Sequence, residues 1–217
     1  QMAEDYGDDY LQFSGQRHKI PDWYSQTEKV WEDLYQNQST PWDLGGPAPA
    51  FVDLLPRLRL PRQRVLVMGC GEGHDAIFFA EAGHRVTAVD LSLTALQRAR
   101  QRDVHSLVEW RCEDAFQTPG VFDLVVEHTF FAALPPGRRP DLVRLWRQKL
   151  NGDGFLMGLF FAMPKRDGPP FGGSEWELQK RLGNRFQPLV WHRTLLSPPD
   201  RMGKEFLVYG RFLPTGV

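Results

Sequence analysis

Cysteine is scarce in this chain. Only Cys70 and Cys112 occur among its 217 residues, too few for a disulfide framework or a zinc-binding pattern. Two reduced thiols in a cytoplasmic protein, with no metal, are therefore expected. An excess of charge of one sign is also lacking. Lys and Arg total 26 against 27 Asp and Glu. Nucleic-acid binders normally carry a basic excess or stripe, so no such partner is expected. The longest mostly apolar run, Gly154 to Met163, is about half of the ~20 residues a bilayer crossing needs. No membrane association is expected either. The first fifteen residues carry Glu4, Asp5, Asp8 and Asp9 without Lys or Arg, the wrong charge for a signal peptide. Aromatics, in contrast, are plentiful, with 7 Trp and 15 Phe, enough to bury a real core.

Residues 1–20 are acidic and then polar, without periodicity, and read as a loose arm. A helix is expected from Asp22 to Tyr35, with Tyr24, Thr27, Trp31 and Leu34 on one side. A second should run from Ala48 to Leu58. Strands and helices then alternate. Strands are expected at Arg64–Met68, Arg85–Val89, Leu107–Cys112, Phe122–Glu127 and Phe155–Ala162. Helices fall between them at Asp75–Ala82, Leu93–Arg102 and Arg138–Leu150. That alternation predicts βαβ units, an α/β fold with a parallel sheet. Ser174-Glu175-Trp176-Glu177 is a capping box opening a helix to Leu182. Two strand-like runs follow, Leu189–Leu196 and Glu205–Phe212, with Pro198, Pro199, Asp200 and Gly203 between them. They suggest an antiparallel hairpin closing the sheet.

Most of the chemistry lies in Val65-Leu66-Val67-Met68-Gly69-Cys70-Gly71-Glu72-Gly73-His74-Asp75. A strand enters a glycine turn and leaves as a helix, so a ligand can lie directly on the backbone. Asp90 ends the next strand, placed to grip two ribose hydroxyls. Glu113 and Asp114, ending the third strand, suit an adenine amine. Two cofactor classes use this geometry. Nicotinamide binders need GxGxxG so that a helix end meets a pyrophosphate. Here the spacing is GxGxG, which favours S-adenosylmethionine, a cofactor without phosphate. His74 is given no catalytic role.

The stretch Val65 to Leu96 resembles the thiol and halide methyltransferases of the thiopurine methyltransferase superfamily. Gly83-His84-Arg85-Val86 and Asp90-Leu91-Ser92 fall in register with that family's pattern. Thr40-Pro41-Trp42-Asp43, Phe122-Asp123-Leu124-Val125 with Phe130-Phe131, and Gly168-Pro169-Pro170-Phe171 match further blocks. The resemblance implies a Rossmann-like class I methyltransferase with a seven-stranded, mostly parallel sheet and helices on both faces. It implies a single domain over residues 21–217, with residues 21–62 as a helical cap; the size and balanced charge make a monomer the default expectation.

It also assigns residues. Trp31, Tyr35 and Trp42 align with aromatics that close over the cofactor, Tyr35 replacing a Trp. Gly69 lines the methionine end, Asp90 holds the ribose, Asp114 and Ala115 flank the adenine, and Cys70, Gly71 and Leu91 join the cofactor-binding set. Glu127 falls where plant members carry Asp, in the cofactor set. His128 falls where they carry Tyr beside the substrate, and Met68 replaces the family proline. The implied activity is methyl transfer to a small soft nucleophile such as a thiol, hydrosulfide, thiocyanate or halide. Such a nucleophile needs desolvation and alignment more than a base. Trp42, Phe130, Phe131, Phe160 and Phe171 are expected to wall a water-poor pocket, and His128 to take the proton of a thiol. The Gly-Pro-Pro segment should be a rigid loop at its mouth. Alternatives are a small-molecule N- or O-methyltransferase, a selenium or tellurium methyltransferase, and a non-catalytic binder of the cofactor.

Overall fold

The computed structural model describes residues 20–165 and 167–213. The acidic arm expected over 1–20 therefore lies, except for Ile20, outside the described residues. Seven strands form one sheet: β1 (Arg64–Met68), β2 (Arg85–Asp90), β3 (Val108–Cys112), β4 (Phe122–His128), β5 (Leu150–Phe161), β6 (Phe186–Arg193) and β7 (Glu205–Phe212). Their spatial order is β3-β2-β1-β4-β5-β7-β6. The first five run parallel, and β7 is antiparallel to both β5 and β6. Helices α1 (Thr27–Gln36), α2 (Pro49–Leu58), α3 (His74–Glu81), α4 (Leu93–Arg102), α5 (Phe130–Ala133), α6 (Arg139–Lys149) and α7 (Glu175–Leu182) complete the architecture.

Unbroken apolar runs form the central strands because both sheet faces are covered. The pleat sends alternate residues to opposite sides. Leu66, Met68 and Val125 join a cluster with Phe131, Leu142, Trp146 and Phe160. Val65, Val67, Leu124 and Val126 join another with Phe51, Phe79 and Met157. Trp146 and Phe51 are fully buried. Truncating either to Ala is expected to cost about 3–5 kcal/mol.

The structure corrects several boundaries. The first helix splits into a 3-10 turn, Asp22–Gln26, and α1. Strand β5 begins at Leu150, which the sequence pattern gave to the preceding helix. The four-residue helix α5 was not anticipated. Strand β6 begins at Phe186 and ends at Arg193, three residues earlier than expected at each end. Pro188 broke the sequence signal there, and the ladder to β7 shifts register between Pro188 and Val190. A proline is accommodated on an edge strand, where its missing N–H breaks no essential bond.

Candidate active site

Strands β1 and β4 are neighbours, yet the chain leaves them toward opposite sides of the sheet. The crevice at their carboxyl ends is a topological switch point, where open α/β sheets place ligands. A cleft of about 320 Å³ opens there. The glycine turn forms its floor. Gly69 and Gly71 adopt φ of +56° and +53°, which L side chains rarely adopt. A Cβ on Gly69 would lie 2.5 Å from the Phe130 ring, and one on Gly71 would lie 2.6 Å from the Tyr35 hydroxyl. The loop needs glycine for both conformation and space.

Asp90 ties this turn to β2. Its carboxylate accepts the Gly71 N–H at 2.8 Å and the Ser92 N–H at 2.9 Å. Burial pushes its pKa up despite those bonds. Asp114 and Ala115 line the same end of the cleft, as do Leu91 and Cys70. Nearby, Glu113 Oε1 is buried, with the Arg111 guanidinium 3.7 Å away and no hydrogen bond among the described residues.

The aromatic side of the cleft comes from α1 and the loop after it. Trp31 and Tyr35 each meet Trp42 edge to face, at centroid distances of 5.4 and 5.7 Å. Trp42 Nε1–H donates to the Tyr35 hydroxyl at 3.1 Å. Burial raises the Tyr35 pKa well above its usual value, so the hydroxyl stays neutral. Three fasteners hold this segment. Glu32 accepts hydrogen bonds from the Ser92 and Thr94 hydroxyls and the Thr94 N–H at the start of α4. His74 sits 3.2 Å from Asp43 and helps hold that carboxyl down at about 2. Arg201 donates to the Trp42 carbonyl at 2.6 Å.

At the opposite end stand His128, Thr129, Phe130, Phe161, Met163, Pro169 and Pro170. His128 Nδ1 lies 2.7 Å from Asp75 Oδ2. Burial lowers the imidazole pKa, but the Asp75 carboxylate outweighs it and the net shift is upward.

Trp31, Tyr35, Trp42, Gly69, Cys70, Gly71, Asp90, Leu91, Asp114, Ala115, His128 and Phe130 thus converge on one cleft. Four expected members, Glu127, Phe131, Phe160 and Phe171, do not. Glu127 is fully buried and accepts the Phe131 N–H at 2.5 Å. Strand alternation sends it to the face opposite His128, and burial pushes its pKa up to about 7. Phe131 is buried behind the cleft, stacked on Trp146 and edge-on to Phe160, which is itself buried. Phe171 packs against Trp23, while the two prolines before it reach the cleft.

Three other residues escaped sequence reasoning. Asp75 stands in the glycine-loop run, but its partner lies 53 positions later. Arg201 and the buried Glu205, 3.5 Å apart, sit around the β6–β7 turn, whose Pro and Gly residues read only as a bend.

The strand order, the antiparallel β7, the glycine turn and the carboxylate ending β2 define a class I S-adenosylmethionine-dependent methyltransferase. A 1,6-didemethyltoxoflavin-N1-methyltransferase from Burkholderia thailandensis, solved with that substrate and S-adenosylhomocysteine, shares the fold. Its TM-score is 0.72 at 22% identity, over 90% of this chain and 92% of that one. The sequence model of the thiopurine S-methyltransferase family matches residues 26–205. Probable thiol methyltransferase 2 of Arabidopsis thaliana is 36% identical over 159 residues, 70% of each chain. Thiocyanate methyltransferase 1 of the same plant is 33% identical over 154 residues, 66% of each. The chain belongs to the thiopurine S-methyltransferase family, and the enzyme uses S-adenosylmethionine. Among the described residues, no helix is long and apolar enough to cross a membrane.

Proposed function

We propose that the enzyme methylates a small soft nucleophile: a thiol, hydrosulfide, thiocyanate or halide. The observation that carries this reading is the size and lining of the cleft. About 320 Å³ must take cofactor and acceptor together, which is at the small end for ligand pockets. Trp42, Phe130, Phe161 and Met163 wall the acceptor end, and such surfaces strip water from a polarizable anion. The Arabidopsis relatives bear the names of thiol and thiocyanate methyltransferases.

The residues present fit the cofactor. The side-chain-free Gly69–Gly71 turn gives it a bed, with Cys70 between. Asp90 and Leu91 stand at the ribose position. Asp114 and Ala115 stand at the adenine position, where the buried Glu113 oxygen, 3.7 Å from the Arg111 guanidinium, offers a further acceptor. Trp31, Tyr35 and Trp42, in a cap of residues 21–62, close over the top. S-adenosylmethionine supplies a methyl carbon on a positively charged sulfur. The protein's part is to hold the acceptor in line with that carbon, exclude water and, for a thiol, receive its proton at His128.

The test is a panel of hydrosulfide, thiocyanate, iodide, an aromatic thiol, a thiopurine and selenite, read by S-adenosylhomocysteine formed. Turnover of the small anions is the expected result. Turnover of the thiopurine or selenite alone overturns the acceptor assignment. Tight cofactor binding without turnover of any of the six also overturns it.

A further inference from the structure

The end of β4 carries an arrangement that the cofactor site does not use. His128 lines the cleft, and its Nδ1 is committed to Asp75 Oδ2 at 2.7 Å. The other Asp75 oxygen, Oδ1, accepts the Ala48 N–H at 2.8 Å. Phe51 packs edge-on against the imidazole at 5.8 Å. His128 Nε2 is buried and has no hydrogen-bond partner among the described residues. We propose that Asp75 is a positioning residue that fixes the tautomer of His128. The charge on that imidazole then selects the acceptor, a protonated thiol when neutral and an anion when cationic. The proposal rests on the acceptor class inferred above.

The hydrogen-bond inventory carries the argument. An ionised carboxylate only accepts, so the proton on a neutral His128 must sit on Nδ1. That leaves the lone pair on Nε2, the ring's available nitrogen. With a thiol, the S–H proton passes to Nε2 and the sulfur lone pair becomes the new C–S bond. The breaking C–S bond leaves its electron pair on the departing sulfur, which loses its positive charge. The imidazolium later releases the proton to solvent. With iodide no proton moves, and the imidazolium Nε2–H stands beside the anion as a charged donor. The groups around the ring are Asp75 on α3, Glu205 on β7, Arg201 on the turn before it and Glu127 on its own strand. Asp75 and Glu205 raise the pKa, and Arg201 lowers it. Glu127, on the other face, is pushed up to about 7, so kinetics alone would not assign a break near neutrality.

The test pairs nitrogen NMR of the His128 ring with kcat/KM for 2-mercaptoethanol and for iodide across pH. The NMR titration needs no cofactor. The expected neutral tautomer is Nδ1–H. The thiol limb should rise and the iodide limb fall through the measured His128 pKa, changing their ratio about 100-fold over two pH units centred there. In Asp75→Asn the amide must turn its oxygen to the Ala48 N–H and its NH2 to Nδ1. The neutral ring then carries its proton on Nε2 and loses the base there. Thiol turnover should fall at least about 100-fold. Iodide keeps an Nε2–H donor but loses its charge, so its rate should fall by no more than about tenfold, clearly less than the thiol's. Asp75→Glu should restore part of the thiol activity. Equal losses for both acceptors overturn the proposal. If Asp75→Asn fails to fold, the wild-type protein decides it, and either a neutral Nε2–H tautomer or a constant acceptor ratio is fatal. Failure to turn over either acceptor overturns the acceptor class instead, and the NMR tautomer tells the two failures apart.

Discussion

Removing the charge of Glu32 should loosen the cap that carries Trp31 and Tyr35. Glu32 sits between them on α1 and receives hydrogen bonds from Ser92, Thr94 and Gln36. Burial raises its pKa, but the bonds from Thr94 and Ser92 outweigh burial and hold it at about 2 instead of 4.5. At 1.36 kcal/mol per unit, that difference sets a ceiling of about 3 kcal/mol. The side chain is only partly buried, so solvent screening reduces the figure to roughly 1–2 kcal/mol. The sign follows from linkage. A folded pKa below the unfolded one gives stability that is complete above about pH 4.5 and lost as pH falls toward 2. Glu32→Gln should therefore be less stable by about 1–2 kcal/mol at pH 7 in urea unfolding. The gap to wild type should shrink by roughly a third to a half at pH 3.5. S-adenosylhomocysteine affinity should weaken by no more than about tenfold, the equivalent of 1.4 kcal/mol. A gap under about 0.5 kcal/mol at pH 7, or one unchanged with pH, would refute the latch.

Other substitutions test other joints. Gly71→Ala puts a Cβ at φ +53° and 2.6 Å from the Tyr35 hydroxyl. It should cost about 1–2 kcal/mol, or roughly 2–8 °C in Tm, and weaken cofactor binding by isothermal titration. Arg201→Met leaves the buried Glu205 carboxylate without its cation. A loss of about 3–5 kcal/mol is expected, and adding Glu205→Gln should recover part of it in the same unfolding assay. Glu177→Gln strands the fully buried Arg139, whose guanidinium also holds the Phe171 and Gly172 carbonyls. It should lower Tm and raise KM for the acceptor, because Pro169 and Pro170 line the cleft just before that anchor.

Much of the fold was legible because its signals are local. The run Val65 to Met68 reads as a strand covered on both faces, and the glycines after it read as a ligand turn. What escaped was set by contacts distant in sequence. Strand β6 pairs through Pro188, which sequence rules count against a strand. Phe130 and Phe131 look equivalent in the sequence, yet one short helix turns the first to the cleft and the second into the core. Glu127 and His128 part in the same way, through the pleat. Among the residues proposed for the cofactor, Gly69, Asp90 and Asp114 drew notice because they stand at or just after strand ends. The Asp75–His128 pair and Arg201 were not, because their meaning comes from elements that meet only in three dimensions.

The acceptor class is the central claim, and competition in one vessel tests it most directly. Iodide and a thiopurine would be offered together at equal concentration with limiting S-adenosylmethionine, and methyl iodide and the methylated thiopurine quantified. The account predicts that methyl iodide dominates by at least about tenfold, a difference of 1.4 kcal/mol between the two transition states. Preferential methylation of the thiopurine would contradict it.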